Sequence, residues 1–497
     1  MTDRTHESLR ARAEELTAGA WKMLIDGQLR YASDGAAFDV ISPTSAEVIA
    51  RVPNATEDDV DEAVAAAQRA HAGWAALSPT ERADHVFRLA EIIQNHKEDL
   101  AILDAVDGGA PIAVMASDVD HASNVCRYFA GLALEVKGYS VPLTTGTHFT
   151  VREPFGVVAA IVPFNHPILF AVVKIAAPLV AGNCVILKPA EATPLSALHL
   201  ATLIADAFPP GVVQIVSGDG PSVPRKLVRH PDIARITFTG SETTGRNILR
   251  DAADTGVKDV TLELGGKNAL IAFPDADPEE VITGAFRGMN FAWSGQSCGS
   301  TSRLVIHESL ADRVVEGLRN RLRERRIGDP LDPSNEQGPL VDGRQLERVR
   351  VFVDDAVGEG AHLVAGGAAP ADAGDGFFFE PTILDHVSPA DRVAQEEIFG
   401  PVLSVIRWSD EDDPVEIANG VRYGLTGSVY TNDVRVAMRT ARRLKAGYIW
   451  VNGSGRHFVG MPFGGMKSSG LGREESIEEL LSFTQLKSVH IVDESPR

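Results

Sequence analysis

The chain has 497 residues, 44% hydrophobic and 23% charged, a balance that excludes wholesale disorder and leaves ample length to bury large cores without disulfide or metal staples. At roughly 150 residues per domain, the length sets a prior of about three structural units. With 68 acidic against 47 basic side chains the formal charge is −21, so the surface repels nucleic acid and anionic membranes, and neither is expected as a partner.

In chain order, Met1 to Ala20 alternates charged and small residues and has no apolar signal core. No later run approaches the ~20 apolar residues of a membrane span, so a cytoplasmic globular protein is expected. Trp21 to Val40 reads as a hairpin segment turning at Asp26-Gly27. Residues 56 to 105 read as two helices. Thr56, with Asp59 three residues on, caps the first, and Ser78-Pro79-Thr80-Glu81 starts the second. From Gly156 apolar runs alternate with helix patterns: Val157–Val162, a helix after Pro167, Val185–Leu187, a helix over Pro194–Phe208, and Val212–Val216. Ile236–Thr239, a helix from near Glu242, and Val260–Leu264 complete this series. Strands flanked this way predict βαβ units and a buried parallel sheet, with ligands beyond the carboxyl ends of its strands. A second α/β series follows residue 266: Ala269–Phe273, a helix over Glu279–Phe291, Arg303–His307, and strands near 402–407 and 448–451. Gly138–Val151 and Phe483–Val492 lie outside both series and read as an arm, and Ala371 to Gly376 reads as a surface loop.

Cysteine occurs only at Cys126, Cys184 and Cys298, too few for a disulfide framework and in keeping with a reducing compartment. Cys298 is flanked by small residues in Gly295-Gln-Ser-Cys-Gly-Ser-Thr-Ser302, just past a helix pattern, which suggests an open loop. It is either an inert filler or a thiolate nucleophile, the latter favoured where dipoles or a cation lower its pKa. Glu263 stands at an apolar strand end before Gly265-Gly266. It is either a partner for Lys267 or backbone amides, or a general base of raised pKa. Asn165, after the first parallel strand, is either a turn residue or an amide donor to a developing oxyanion. Lys188 and Glu191, after the next strand, suit ribose hydroxyls or a solvated charge pair. Phe238-Thr-Gly-Ser-Glu-Thr-Thr-Gly245 is a strand, a Gly turn and a helix N-terminus, suited to pyrophosphate although it lacks GxGxxG.

Seven runs, in order, resemble the NAD(P)-dependent aldehyde dehydrogenase family over about residues 20 to 492. They are Val162-Pro-Phe-Asn165, Leu187-Lys-Pro-Ala-Glu191, Phe238-Thr-Gly-Ser241, Leu262-Glu-Leu-Gly-Gly-Lys267, Gly295-Gln-Ser-Cys298, Gln395-Glu-Glu-Ile-Phe-Gly-Pro401 and Pro462-Phe-Gly-Gly-Met-Lys-Ser-Ser-Gly470. The resemblance implies an α/β fold with a Rossmann-type cofactor domain over residues 1–134 and 155–265. It further implies a catalytic α/β domain over 266–466 and a β oligomerisation arm over 135–154 and 481–497. It implies that Cys298 attacks the aldehyde, that Asn165 and the Cys298 backbone N–H hold the oxyanion, and that Glu263 activates the water that hydrolyses the thioester. Cofactor contacts would fall on Pro163, Lys188, Glu191, Gly240, Ser241, Leu264, Glu397 and Phe399. The Glu191 charge beside the ribose favours NAD over NADP. A homodimer or homotetramer is implied, its C-terminal strand joining a neighbour's sheet. The alternatives are a CoA-acylating semialdehyde dehydrogenase, against which a poised Glu263 argues, and a non-catalytic dinucleotide-binding or crystallin-like protein.

Histidine replaces residues that are commonly apolar or aromatic around this family's substrate tunnel at His121, His166 and His457. With Arg456 they are expected to form a polar, partly cationic funnel for a hydroxylated, aromatic or carboxylate-bearing aldehyde. No ligand spacing suggests that they hold a metal.

Overall fold

The computed structural model describes residues 5–143, 146–371 and 373–492. Its centre is an eight-stranded sheet in the order Gly470–Leu471, Asp259–Glu263, Arg235–Thr239, Val157–Ile161, Cys184–Lys188, Val213–Ile215, Met23–Ile25, Gln28–Arg30. The strands from Asp259–Glu263 to Val213–Ile215 run parallel, and the outer ones are antiparallel. Every residue of Val157–Ile161 and of Cys184–Lys188 is buried, and both are apolar up to the terminal Lys188, as strands covered on both faces favour.

A second sheet orders His362–Ala365, Thr382–Asp385, Val402–Trp408, Arg303–His307, Ala269–Ala272, Thr426–Tyr430 and Tyr448–Val451, and it is parallel except at His362–Ala365. Glu263 ends a strand of the first sheet and Ala269 begins one of the second, so residues 264–268 carry the chain across. Thr484–Val492 pairs along its length with Gly146–Pro154, which also pairs with Ser140–Leu143, making a separate three-stranded arm. The expected arm ranges run on into residues 144–145 and 493–497, which lie outside the described residues.

The turn at Asp26-Gly27 forms, with both residues at positive φ (52° and 73°), the backbone a two-residue hairpin needs. The hairpin is shorter than expected: Ala37–Ile41 pairs instead with Val48–Pro53. Thr56 and Ser78 each complete a capping box, with Asp59 and Glu81, at the starts of Glu57–Ala76 and Pro79–Asn95. The two helices expected over 56–105 are three, because His96 leaves helical geometry at φ −108°, ψ 21° and a new helix, Lys97–Gly108, starts behind it. The helix expected to reach Phe291 ends at Gly288, and Phe291–Trp293 is a 3-10 turn after left-handed Asn290. The N-terminal stretch contributes the helix His6–Thr17, which buries Leu9 and Ala13, while Met1 to Arg4 lie outside the described residues. So does residue 372, within the expected loop Ala371 to Gly376.

Asp104 and Asp107 lie one turn apart on Lys97–Gly108 and are fully buried. Asp104 accepts from Ile168 N–H at the start of Pro167–Ala181, and Asp107 accepts from Leu195 N–H at the start of Leu195–Ile204. One helix thus caps two others from its side chains.

Candidate active site

Glu263, Lys188 and Asn165 lie at or just beyond the carboxyl ends of neighbouring parallel strands, where open α/β sheets bind ligands. Cys298 comes from the other sheet, on the turn between Phe291–Trp293 and Arg303–His307. Two amides fix that turn. Asn268 Nδ2 donates to the carbonyls of Cys298 (2.7 Å) and Ser300 (2.9 Å), and Asn165 Nδ2 donates to Gln296 O (2.8 Å). Asn165 spends one amide hydrogen on the cysteine turn and keeps the other.

The Cys298 side chain is half-buried against the cluster Leu425, Tyr448, Trp450 and Phe463. Burial, followed by the carboxylates of Glu397, Glu263 and Glu474, pushes its thiol well above the usual cysteine range. The backbone N–H dipole at Cys298 lowers it, as a nucleophile would need, but is outweighed by burial and these negative charges.

Glu263 is buried, and neither carboxylate oxygen has a hydrogen-bond partner in the protein. It pairs with neither Lys267 nor backbone amides, and Lys267 Nζ is itself buried without a partner. Burial pushes the Glu263 carboxyl well up, the Glu474 charge adds to this, and Lys174 and Arg473 oppose it. Its seat is made by glycine: a Cβ on Gly464 would come within 2.7 Å of Glu263 Oε1. The Pro462-to-Gly470 run that carried part of the resemblance is therefore the wall of the carboxylate pocket.

Lys174, Glu474 and Glu479 are buried beside Glu263, and the sequence reading missed them. Lys174 Nζ pairs with Glu474 and donates to Thr237 Oγ1 at 3.2 Å. The signal was present as one lysine in the otherwise apolar Pro167–Ala181 helix, a charge that must find a buried partner.

A dinucleotide fits the residues at this sheet edge. Lys188 is buried, burial lowers its ammonium pKa, and Nζ lies 3.4 Å from the half-exposed Glu191 carboxylate, an arrangement suited to a sugar diol. Thr239 Oγ1 is buried without a partner at the end of its strand. Ser241 caps Glu242–Thr255, accepting from Thr244 N–H and donating to Thr244 Oγ1, so its hydroxyl is already committed. Gly240 N–H is also spent, on Glu263 O, and a Cβ there would come within 2.5 Å of the Phe238 ring. Their contribution to an anion is closeness of approach to the helix end. Glu397 Oε1 accepts from Gly266 N–H at 2.9 Å, and a Cβ on Gly265 would overlap Oε2 at 2.0 Å. Burial raises the Glu397 carboxyl to about 7, against the lowering effect of Gly266 N–H and Lys267. Phe399 holds a left-handed φ of 62° and meets Phe164 edge-on at 5.6 Å. Leu264, whose N–H donates to Ser469 O, packs where a Cβ on Gly245 would stand at 2.7 Å. Pro163 lies in the turn between Ile161 and Asn165.

The three histidines converge. His166 Nδ1 lies 2.7 Å from Asp118 Oδ2, and its ring packs on Trp293. His457 Nδ1 lies 2.8 Å from Glu475 Oε1, and its Nε2 lies 4.0 Å from where a Cβ on Gly299, next to Cys298, would stand. The charges acting on His121 are those of Glu475, His457, Asp118 and His166, so it sits among both pairs. Arg456 does not join them. Its guanidinium lies over the exposed Phe458 ring at 5.2 Å, and only its backbone carbonyl turns inward, to Trp450 Nε1. Among the described residues, the His/Cys/Asp/Glu group close enough to share an ion is His96, Asp99 and His199, where Arg12 occupies both Asp99 oxygens. It includes none of the tunnel histidines.

A parallel sheet with a carboxylate and an amide at its edge, met by a cysteine from a second sheet, defines an α/β protein with a cysteine-centred site. The aldehyde dehydrogenase family model matches residues 31–489, and the chain belongs to that family. It is 42% identical over 482 residues to aldehyde dehydrogenase tropH of Talaromyces stipitatus, covering 94% of this chain and 93% of that one. Among solved structures, an NAD+ complex of aldehyde dehydrogenase from Bacillus cereus superposes with a TM-score of 0.94 at 38% identity, over 97% of this chain and 98% of that one. The AldA indole-3-acetaldehyde dehydrogenase of P. syringae, in complex with NAD+ and IAA, gives 0.95 at 34% identity, over 98% and 100%.

Proposed function

We propose that this aldehyde dehydrogenase oxidises its substrate with NAD+ through a thioester on Cys298, which Glu263 clears with water. The observation that carries this reading is the meeting of Cys298, Asn165 and Glu263 from two sheets, with Asn165 tied to the cysteine turn. Cys298 releases its thiol proton to solvent as Sγ forms a bond to the aldehyde carbon, and the carbonyl oxygen becomes an oxyanion that the free Asn165 amide hydrogen and the Cys298 N–H stabilise. Bound NAD+ supplies the acceptor for the hydride that the aldehyde carbon gives up, and a cationic ring that offsets the carboxylates around the thiol. The carbon, now oxidised by two electrons, stays on Cys298 as a thioester. Glu263 takes a proton from water, the hydroxide adds, the C–S bond breaks, and the carboxylic acid leaves with the thiol restored. A base with raised pKa and no competing hydrogen bonds suits hydrolysis rather than transfer to CoA.

Lys188 and Glu191 would bind the adenosine ribose, Glu397 the nicotinamide ribose with Phe399 beside it, and the Glu242–Thr255 helix end near Gly240 and Ser241 the pyrophosphate. Pro163 and Leu264 would line the cofactor's path. The Glu191 carboxylate disfavours a 2′-phosphate, hence NAD over NADP. The histidine-lined approach to Cys298 suits an aldehyde with a polar or aromatic body. The arm supports a homodimer or homotetramer, since all of Ser140–Leu143 is exposed at the arm's edge. The test is Cys298→Ala, which is expected to abolish aldehyde-dependent NADH formation while calorimetry still shows NAD+ binding. Substantial residual turnover would overturn the nucleophile assignment.

A further inference from the structure

The approach to Cys298 has two faces of different chemistry. On one, Tyr448, His457 and Phe463 stack, with ring centroids 5.7 Å apart for Tyr448–His457 and 4.6 Å for His457–Phe463, and Trp450 closes on Tyr448 at 5.1 Å. The Cys298 side chain packs against this same cluster. On the other, His166 lies between Trp293 at 5.1 Å and Phe170 at 5.8 Å. Flat rings on both sides favour a flat substrate, since offset and edge contacts between rings add to simple burial.

The polar atoms are equally defined. Asp118 and Glu475 as carboxylates can only accept, so Nδ1 of His166 and of His457 must carry the hydrogen. That fixes each ring's tautomer and leaves Nε2 free of that bond, an acceptor on a neutral ring and a donor on a cationic one. His121 stands among both pairs, with no side-chain hydrogen bond among the described residues. Trp293 Nε1 and Glu475 Oε2 are buried without protein partners. The set therefore holds both donors and acceptors that the protein leaves unmatched.

Its charge points to one class of substrate. His166 and His457 each already face a carboxylate, and Arg456 is turned onto Phe458, so these three residues leave no surplus positive charge for an anionic tail. A carboxylate-bearing aldehyde would meet Asp118 and Glu475 with its own charge unmatched. A phenolic hydroxyl can both donate to an imidazole Nε2 and accept from an N–H without bringing charge. We propose that His121, His166 and His457 form a hydroxyl-reading cage that selects a hydroxylated aromatic aldehyde over its unsubstituted and carboxylated counterparts. The inference rests on the aldehyde-oxidation reading above.

The test measures kcat/KM with NAD+ for hexanal, benzaldehyde, the three hydroxybenzaldehydes and 4-carboxybenzaldehyde. At least one hydroxybenzaldehyde is expected to exceed benzaldehyde by about tenfold or more, the discrimination of one or two hydrogen bonds, with the carboxylated ring below benzaldehyde. In His121→Leu, His166→Phe and His457→Phe the readout is the ratio of the preferred hydroxybenzaldehyde to benzaldehyde, which is expected to fall towards one whatever happens to the common rate. Turnover of benzaldehyde and hexanal with no hydroxyl advantage, a preference for the carboxylated ring, or a ratio untouched by all three substitutions overturns the cage and leaves aldehyde oxidation standing. No NADH from any of these aldehydes overturns both.

Discussion

Under the proposed mechanism, Glu263→Gln separates the two half-reactions that Cys298 links. Both Glu263 oxygens lack protein partners, so the amide forfeits no hydrogen bond, and it has the same shape in a seat where Gly464 leaves no spare room. The cysteine turn, held by Asn268 and Asn165, is untouched. What disappears is a base, worth about 10²–10⁴ in rate, or roughly 2.7–5.5 kcal/mol of barrier, and the loss falls on water attack alone. Stopped-flow mixing is expected to give a burst of NADH approaching one per site, followed by a steady rate slowed by about that factor. Intact-mass spectrometry of the quenched enzyme is expected to find the acyl group on Cys298. A steady rate within about tenfold of wild type, or a large loss with neither burst nor acyl adduct, would refute the assignment of Glu263 to hydrolysis. Because burial raises the Glu263 carboxyl pKa, its contribution to stability is complete below the unfolded pKa and is lost as pH rises through the folded one. The melting temperature of the variant should therefore gain on wild type from acid to alkaline pH.

Asn165→Ala removes an oxyanion donor and the bond to Gln296 O, and should cost about 10²–10³ in kcat with a loss of about 1 kcal/mol in denaturant stability. Full stability with full activity would contradict both roles. Asp107 is likewise pushed well up by burial, with the Asp104 charge adding, so its contribution also declines as pH rises. Asp107→Asn keeps the acceptor for Leu195 N–H and should gain on wild type in thermal scans at higher pH, whereas Asp107→Ala should lose about 1–2 kcal/mol through the missing cap. Glu191→Gln removes the charge set against a 2′-phosphate and should raise kcat/KM for NADP relative to NAD by about tenfold. An unchanged ratio would show that the loop, not the charge, sets the preference.

The parallel sheet was readable because Val157–Ile161 and Val185–Leu187 are unbroken apolar runs, as a strand buried on both faces favours. The capping boxes at Thr56 and Ser78 were readable because both partners lie within four residues. Cys298, Glu263 and Asn165 stood out through their local runs, although only family resemblance joined them into one mechanism. What escaped was pairing across the chain. Nothing near Lys174 in sequence announces Glu474, 300 residues on, and nothing near His166 announces Asp118 on another helix. The raised thiol pKa was hidden for the same reason, since the burial that chiefly raises it and the carboxylates that add to it are brought together only by the fold. Arg456 was placed in the funnel by its neighbour His457, but side chains on adjacent loop residues point apart.

The five residues between Glu263 and Ala269 join the two halves of the chemistry, and three outside side chains staple them, Arg303 Nε donating to Lys267 O at 2.8 Å. Ser469 Oγ donates to Gly265 O while accepting from Gly424 N–H, and Glu397 grips Gly266 N–H. The sulfur rides on one slab and the carboxylate proposed to activate water on the other, so a short glycine crossing links the positions of the two. Gentle urea, loosening those clasps first, should silence turnover while circular dichroism still records every helix intact.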